Sequence, residues 1–243
     1  MGDAQAEGEE GPRCVGCGRR VRTLFVQYSQ GNIRLMKCDN CKAVADPYIE
    51  CEFMIILIDL ILHKTRAYRH LLFNKLSMGS CVDKGILCWS TLIYIALDAF
   101  HNYVVRLSFS KVNSVGGASS RSVFSTIFNC SEVIGDALLG NVIFVIMLFL
   151  AVRFILKLSF DITRYREVLF AVIISSYFKL FLFTMMVWEF PSSVVFIVEI
   201  FVLSSNVVAL RVVSQFPKAH CFSVCFMAHA AKYLTERWIL RTP

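Results

Sequence analysis

The sequence predicts a multi-pass α-helical membrane protein with a small N-terminal β-hairpin zinc ribbon, on three observations. Of its 243 residues 56% are hydrophobic, more than a water-facing surface tolerates. The apolar residues gather into runs close to the length of about 20 that a bilayer core demands. Ahead of those runs stands "CVGCGRRVRTLFVQYSQGNIRLMKCDNCK", residues 14 to 42, where two Cys-x-x-Cys pairs lie among basic residues.

In chain order, residues 1 to 13 are small, acidic and Gly-containing, and read as a disordered tail without a function of its own. They have neither the basic start nor the apolar stretch of a signal peptide, so an internal span is expected to direct insertion. The zinc-ribbon module is expected over 14 to 52. Within it, Val21 to Tyr28 is rich in β-branched and aromatic residues, and "NIRLMK" (Asn32 to Lys37) follows a Ser-Gln-Gly-Asn turn. That pattern predicts a β-hairpin between the cysteine pairs.

Cys14-x2-Cys17 and Cys38-x2-Cys41, 20 residues apart, have the spacing of two knuckles that close one tetrahedral zinc site. Gly18, directly after Cys17, supplies the permissive backbone such a turn often needs. Four thiolates leave the site net negative, and Arg19, Arg20, Arg22, Lys37 and Lys42 are placed to offset it. A redox Cys-x-x-Cys would want a thioredoxin-like βαβ context, and paired disulfides an oxidising compartment. Of the ten cysteines, the other six (Cys51, Cys81, Cys88, Cys130, Cys221, Cys225) are scattered, which favours a reducing side for this terminus. Four sulfur ligands leave no open position for water, so the zinc is structural and not catalytic. So small a ribbon has no real core, and metal binding, worth roughly 10 to 16 kcal/mol, is then its folding energy.

Beyond Pro47, "FMIILIDLIL" (Phe53 to Leu62) is too short to cross: a helix of that length covers about half a bilayer core. Continued as one helix over 53 to 76, it would set Asp59, His63, Arg66 and His70 in a polar stripe, an interfacial amphipathic helix. Lys64, Arg66 and Arg69 are its expected contacts with anionic head groups or a partner. A second metal or acid/base site on Asp59, His63 and His70 is the lesser reading of that stripe. Four spans are predicted within 86 to 213, over 86–105, 133–155, 168–188 and 193–213; residues 219–235, in the tail 219–243, carry two His and a Lys and form a marginal fifth span or an interfacial helix. Lys and Arg cluster in the 153–167 loop and after Leu62, while the "EFPS" turn has none. Both clusters place the cysteine module in the cytosol. The net charge of +7 follows the same clusters, which sets topology and does not point to nucleic acid.

The residues "CVGCG", "YSQGNIRLMKCDNCK", "VADPYIECE", "IILIDLILH" and "AYRHLLFN", within 14 to 76, together resemble the Arv family of endoplasmic reticulum membrane proteins. The resemblance continues more thinly through "ISSYFKLFLF" (Ile174 to Phe183), "VWEFP" (Val187 to Pro191) and "LSSN" (Leu203 to Asn206). It implies a role in sterol and sphingolipid homeostasis, namely sterol distribution out of the endoplasmic reticulum and support of glycosylphosphatidylinositol anchor synthesis; the lack of a catalytic constellation in the sequence leads to the expectation that this role is non-enzymatic. Implied partners are membrane lipids and subunits of lipid-biosynthetic enzymes, in the endoplasmic reticulum membrane and also the Golgi. The alternative is a subunit or catalytic component of a lipid-synthesis complex. Members carry a further apolar segment where this chain stops at "RWILRTP", as an alternative or truncated product would.

Asp98, Asp136 and Lys179 are expected near span ends or snorkelling, with Glu199 the best candidate for a functional intramembrane charge. His101, His220 and His229 form no cluster in the sequence. Ser175, Ser176 and Tyr177 are expected to hydrogen-bond between helices. The sequon at Asn129 lies in an expected lumenal loop too near a span to be glycosylated. The topology makes a simple prediction: protease added to sealed microsomes digests an N-terminal tag, and protection until detergent is added would invert the orientation.

Overall fold

The computed structural model describes residues 11–29, 32–76, 84–113, 123–157, 162–180 and 193–239. The chain divides into two compact units, 1–84 and 85–243.

In the first unit, β1 (Phe25–Ser29) and β2 (Asn32–Leu35) pair antiparallel, with Phe25 opposite Leu35 and Ser29 opposite Asn32. This is the expected hairpin. Every residue of β1 is exposed, so the hairpin buries little and depends on what closes its base. After the second cysteine pair, Asp46 caps a 3₁₀ turn over Pro47–Ile49, its carboxylate accepting from the Tyr48 amide at 3.0 Å. Pro47 stands at the first helical position, where its missing N–H costs nothing.

The single helix expected over 53–76 is corrected by the structure. Helix α1 (Phe53–Ile61) stops at a Schellman turn: the His63 amide bonds Leu60 O at 3.0 Å and the Lys64 amide reaches back to Asp59 O at 3.0 Å. His63 takes the left-handed position (φ 55°) that glycine usually fills. The chain then starts α2 (Thr65–Arg69), which runs on as a π-helical turn over His70–Lys75. The polar stripe is thereby dispersed, since Asp59 and His70 now lie on different helices.

The second unit is a helical bundle of α3 (Lys84–Asn113), α4 (Val123–Ile155), α5 (Ile162–Ser175), α6 (Ser193–Ser214) and α7 (Lys218–Ile239). A 3₁₀ turn, Ser176–Leu180, continues α5. Among the described residues two helices are long and apolar enough to cross a membrane, Ser131–Ile155 and Phe196–Ser214, coinciding with two of the four predicted spans. The predicted span 86–105 lies within α3, and the one over 168–188 runs past Leu180 beyond the described residues. Asn129 lies in α4 and not in a loop.

Packing in the bundle follows one face of each helix. The buried positions on α4 include Val133, Ala137, Asn141, Phe144, Leu148, Ala151 and Val152; on α7 they include Cys221, Val224, Cys225, Ala228 and Lys232. Helix α7 packs on α4 and α6, through a seam of small side chains that lets backbones approach closely. Across α5 and α6, Ser175 Oγ donates to Asn206 Oδ1 at 2.5 Å and Ser205 Oγ donates to Ser175 O at 2.6 Å. These are the interhelical hydrogen bonds expected of Ser175 and Ser176, the latter reaching Asn206 at 3.3 Å.

Candidate functional site

The two cysteine knuckles are local copies of one another. In the first, the Gly18 amide bonds Cys14 O at 2.8 Å and the Cys14 amide bonds Arg19 O at 2.8 Å. In the second, Lys42 bonds Cys38 O at 2.9 Å and Cys38 bonds Ala43 O at 2.8 Å. Isolated bridges Arg13 to Arg20 and Lys37 to Val44 flank them at matching positions. Each knuckle needs one residue at positive φ immediately after its second cysteine: Gly18 at 79° and Lys42 at 59°. The Val15 amide, bonded to Ala45 O at 2.9 Å, ties the two together.

The result brings all four predicted ligands into one cluster, with every Sγ within 4.8 Å of the others. Cys14 to Cys41 is 3.7 Å and Cys17 to Cys38 is 3.6 Å. Sulfurs bonded to one tetrahedral zinc at about 2.3 Å must lie about 3.8 Å apart, whereas a disulfide requires about 2.05 Å. The donor set therefore fits zinc and not a pair of disulfides, and a zinc ion held by Cys14, Cys17, Cys38 and Cys41 would supply a structural cross-link. Burial pushes the Cys14 thiol up to about 12. At Cys17 desolvation acts in the same direction, yet hydrogen bonds from the Arg19 amide and the Asn40 side chain overcome it and lower the thiol to about 6.

A clamp from α2 and the π-helical turn grips the first knuckle. Arg69, expected to meet head groups, instead donates from Nη1 to Val15 O at 2.9 Å and to Gly16 O at 2.6 Å. Asp46 is fully buried and gathers three partners: besides the Tyr48 amide, its Oδ2 lies 2.7 Å from His70 Nδ1 and accepts from Asn74 Nδ2 at 2.6 Å. Asn74 also exchanges hydrogen bonds with the Arg13 backbone, both at 2.9 Å, while the Arg13 guanidinium lies 4.2 Å over the Phe73 ring. Lys64 donates to Asp59 at 2.7 Å and Tyr48 OH donates to the same carboxylate at 2.8 Å, and both hold Asp59 below the usual carboxylate range. Desolvation, with Asp59 beside it, pushes Tyr48 up. Lys64 and Arg66 are the exposed members of the predicted contact set.

In the bundle, the expectation that Asp98 and Lys179 snorkel is corrected, because both are buried between helices. Asp98 on α3 is fully buried and pairs with Lys179 from the 3₁₀ turn and with Lys232 of α7, the latter at 2.6 Å. Lys232 also donates to Asn141 Oδ1 on α4 at 2.9 Å. Both ammoniums lie over the Tyr94 ring, at 4.9 and 5.7 Å. Nearby in the same unit, His101 Nδ1 is 3.1 Å from Glu199, His229 Nε2 is 3.0 Å from Asn206 Nδ2, and Arg106 pairs with Asp136. Two of the histidines that look unrelated in the sequence thus take part in polar contacts between helices. Lys232 was the missed residue. Its 4-3-4 spacing from Cys221, Cys225 and Ala228 was the available signal, because it puts the lysine on the buried seam.

The described residues define a class by two features: a four-cysteine knuckle module whose sulfurs suit a metal, and a helical bundle with two helices long and apolar enough to cross a membrane. The model of the Arv1-like family matches residues 13–210, and the chain belongs to that family. It is 45% identical over 224 residues to "Protein ARV 2" of Arabidopsis thaliana, covering 92% of this chain and 93% of that one. It is 36% identical over 210 residues to "Protein arv1 homolog" of Dictyostelium discoideum (82% and 83%), and 29% identical over 213 residues to "Protein ARV1" of Homo sapiens (82% and 71%). No solved structure matches.

Two sets of measurements check this site. Purified protein carries one zinc per chain by elemental analysis, and Cys38→Ser with Cys41→Ser loses it; less than about half an equivalent in the parent would exclude the assignment. At the two matched left-handed positions the signs should oppose. Gly18→Ala weakens zinc retention against a chelator by about 1 kcal/mol, whereas Lys42→Gly leaves it unchanged or strengthens it by a similar amount. A Cβ at Gly18 would meet Arg69 only at 3.6 Å, so backbone conformation and not space sets that cost.

Proposed function

We propose that the chain is a non-enzymatic mediator of lipid homeostasis, handling sterol and sphingolipid in the endoplasmic reticulum membrane and supporting glycosylphosphatidylinositol anchor synthesis. In this reading it is multi-pass, and its cysteine module docks on the cytosolic face of the bilayer. Family membership supports the general theme of lipid homeostasis. A closed four-sulfur site has no open coordination position for chemistry, which supports a binding or scaffolding role for the module.

The observation that carries the docking mechanism is the outer face of α1. Phe53, Met54, Ile55, Ile58 and Leu62 are between 47% and 72% exposed, while Leu60 on the other side of the helix is buried. So much apolar surface on a short helix suits the head-group boundary of a bilayer. Fully burying one such side chain is worth about 1.5 to 3 kcal/mol, and one basic residue near an anionic surface about 1 kcal/mol. Insertion of α1 therefore contributes more than charge does, and Lys64 and Arg66 add to it. Arg69 is occupied by the knuckle.

Unit 1–84, with zinc, is expected to float with anionic liposomes and to keep a substantial bound fraction at high salt. Ile55→Gln with Ile58→Gln should reduce flotation by about tenfold or more, and Arg66→Glu by only a few fold, with zinc content unchanged. If the double Gln variant binds like the parent, α1 is not the docking face. In cells lacking their own family member, the full chain should restore sterol partition between the endoplasmic reticulum and the plasma membrane. Failure to shift it, or turnover of a lipid into a covalently altered product by purified protein, would replace this reading with the enzymatic one.

A further inference from the structure

Lys232 sits at the centre of a set of polar atoms that the fold does not satisfy. Its ammonium is 2.6 Å from Asp98 Oδ1, 2.9 Å from Asn141 Oδ1 and 3.9 Å from Glu236 Oε1. On each of those three side chains one buried atom has no hydrogen-bond partner: Asp98 Oδ2, Asn141 Nδ2 and Glu236 Oε1. The two oxygens of a carboxylate, like the oxygen and nitrogen of an amide, are about 2.2 Å apart, so all three orphan atoms lie within about 5 Å of one ammonium. Asp98 is 0% exposed and Asn141 7%. An ammonium can only donate, so the Asn141 oxygen faces Lys232 and its NH2 group is the free donor. The set thus offers one donor and two acceptors.

Its direct ion pairs are matched in charge, and the neighbouring Glu199 has His101 as its own partner. Two carboxylates, Asp98 and Glu236, stand against two ammoniums, Lys179 and Lys232. A charged ligand would bring an uncompensated charge into a low-dielectric interior, whereas a neutral group that both donates and accepts would satisfy the orphans at no such cost. Access is also graded. The Glu236 side chain is 18% exposed, the Lys232 side chain 8% and Asp98 none, so the cluster opens at α7 and closes at α3. Gly140 faces the open end, where a Cβ would meet Glu236 Oε1 at 3.1 Å.

We propose that this cluster is a binding site for the hydroxyl group of a neutral membrane amphiphile, the hydroxyl donating to Asp98 or Glu236 and accepting from Asn141. The site is separate from the cysteine module, and it draws on the lipid-handling reading only for the class of its ligand. A single buried water could occupy the same atoms, so the test must separate the two.

Full-length protein in nanodiscs is photolabelled with diazirine analogues of cholesterol and of a diacylglycerol, each with a free hydroxyl, and with the methyl ether of each. The free hydroxyls label saturably, on peptides of α3, α4 or α7, and the ethers label about tenfold less or weaker. Asn141→Leu reduces hydroxyl labelling by a similar factor, and Asn141→Ser, which keeps a hydrogen-bonding group, recovers part of it. Glu236→Gln serves where the leucine variant is not monodisperse. If neither parent alcohol labels saturably, if ether and alcohol label alike, or if folded Asn141→Leu labels like the parent, the cluster holds only water and the proposal falls. Those outcomes leave the liposome and sterol-partition results untouched, so the two readings fail separately.

Discussion

A charge or a metal-bound thiolate cluster must be matched where it lies, and both halves of this chain are organised by that constraint. In the first unit, the hairpin is exposed on every residue of β1 and has no core to fall back on. At its base four sulfurs approach to within 4.8 Å of one another, an arrangement that suits a shared metal ion. The Arg69 guanidinium, bonded to Val15 O and Gly16 O, is set against that same cluster. Fold and site are one thing here, since the knuckles exist to place sulfurs and the sulfurs hold the knuckles.

The same constraint acts in the bundle with opposite materials. Asp98 is fully buried, and an isolated carboxylate in that interior would be costly. Lys179 and Lys232 come to it from segments far apart in sequence, so the one side chain joins α3, the turn after α5, and α7. A buried pair is weak evidence of stability in itself, but breaking one partner is expensive, which makes such a pair effective at fixing register. The small-residue seam of α4 and α7 brings backbones close; the Asp98 cluster selects which faces meet.

Much of this was legible. The cysteine spacing predicted which four sulfurs gather, and the β-branched run with its turn predicted the hairpin, because both depend on local sequence. Two membrane-length helices were legible from hydrophobic runs. The stop after α1 was not, because it rests on a histidine in the left-handed position, a role that composition assigns to glycine. Arg69, His70 and Asn74 look like an interfacial polar face when a single helix is assumed. Once the chain turns at His63, they are the residues that grip the ribbon. Lys232 was hidden for a related reason: its charge lowers the apolarity of 219–235 and so argues against burial, while its partner Asp98 lies 134 residues away.

The clamp breaks a symmetry that the knuckles have. Both knuckles share their hydrogen bonds and their positive-φ residue, yet Arg69, Asn74 and Phe73 all engage Arg13, Val15 or Gly16 of the first. The second leaves Asp39, Asn40, Cys41 and Lys42 exposed. The consequence is a division of labour between chemically similar loops. The first knuckle is coupled to the helices that follow by Arg69 on Val15 O and Gly16 O and by Asn74, which bonds both the Arg13 backbone and Asp46, while Tyr48 OH reaches Asp59 of α1. The second keeps a lysine in a conformation costing about 1 to 2 kcal/mol relative to glycine. Tightness of the turn alone would favour glycine there, so retaining a charged side chain at that point sets a cation beside the thiolate cluster, on the knuckle that the clamp leaves open.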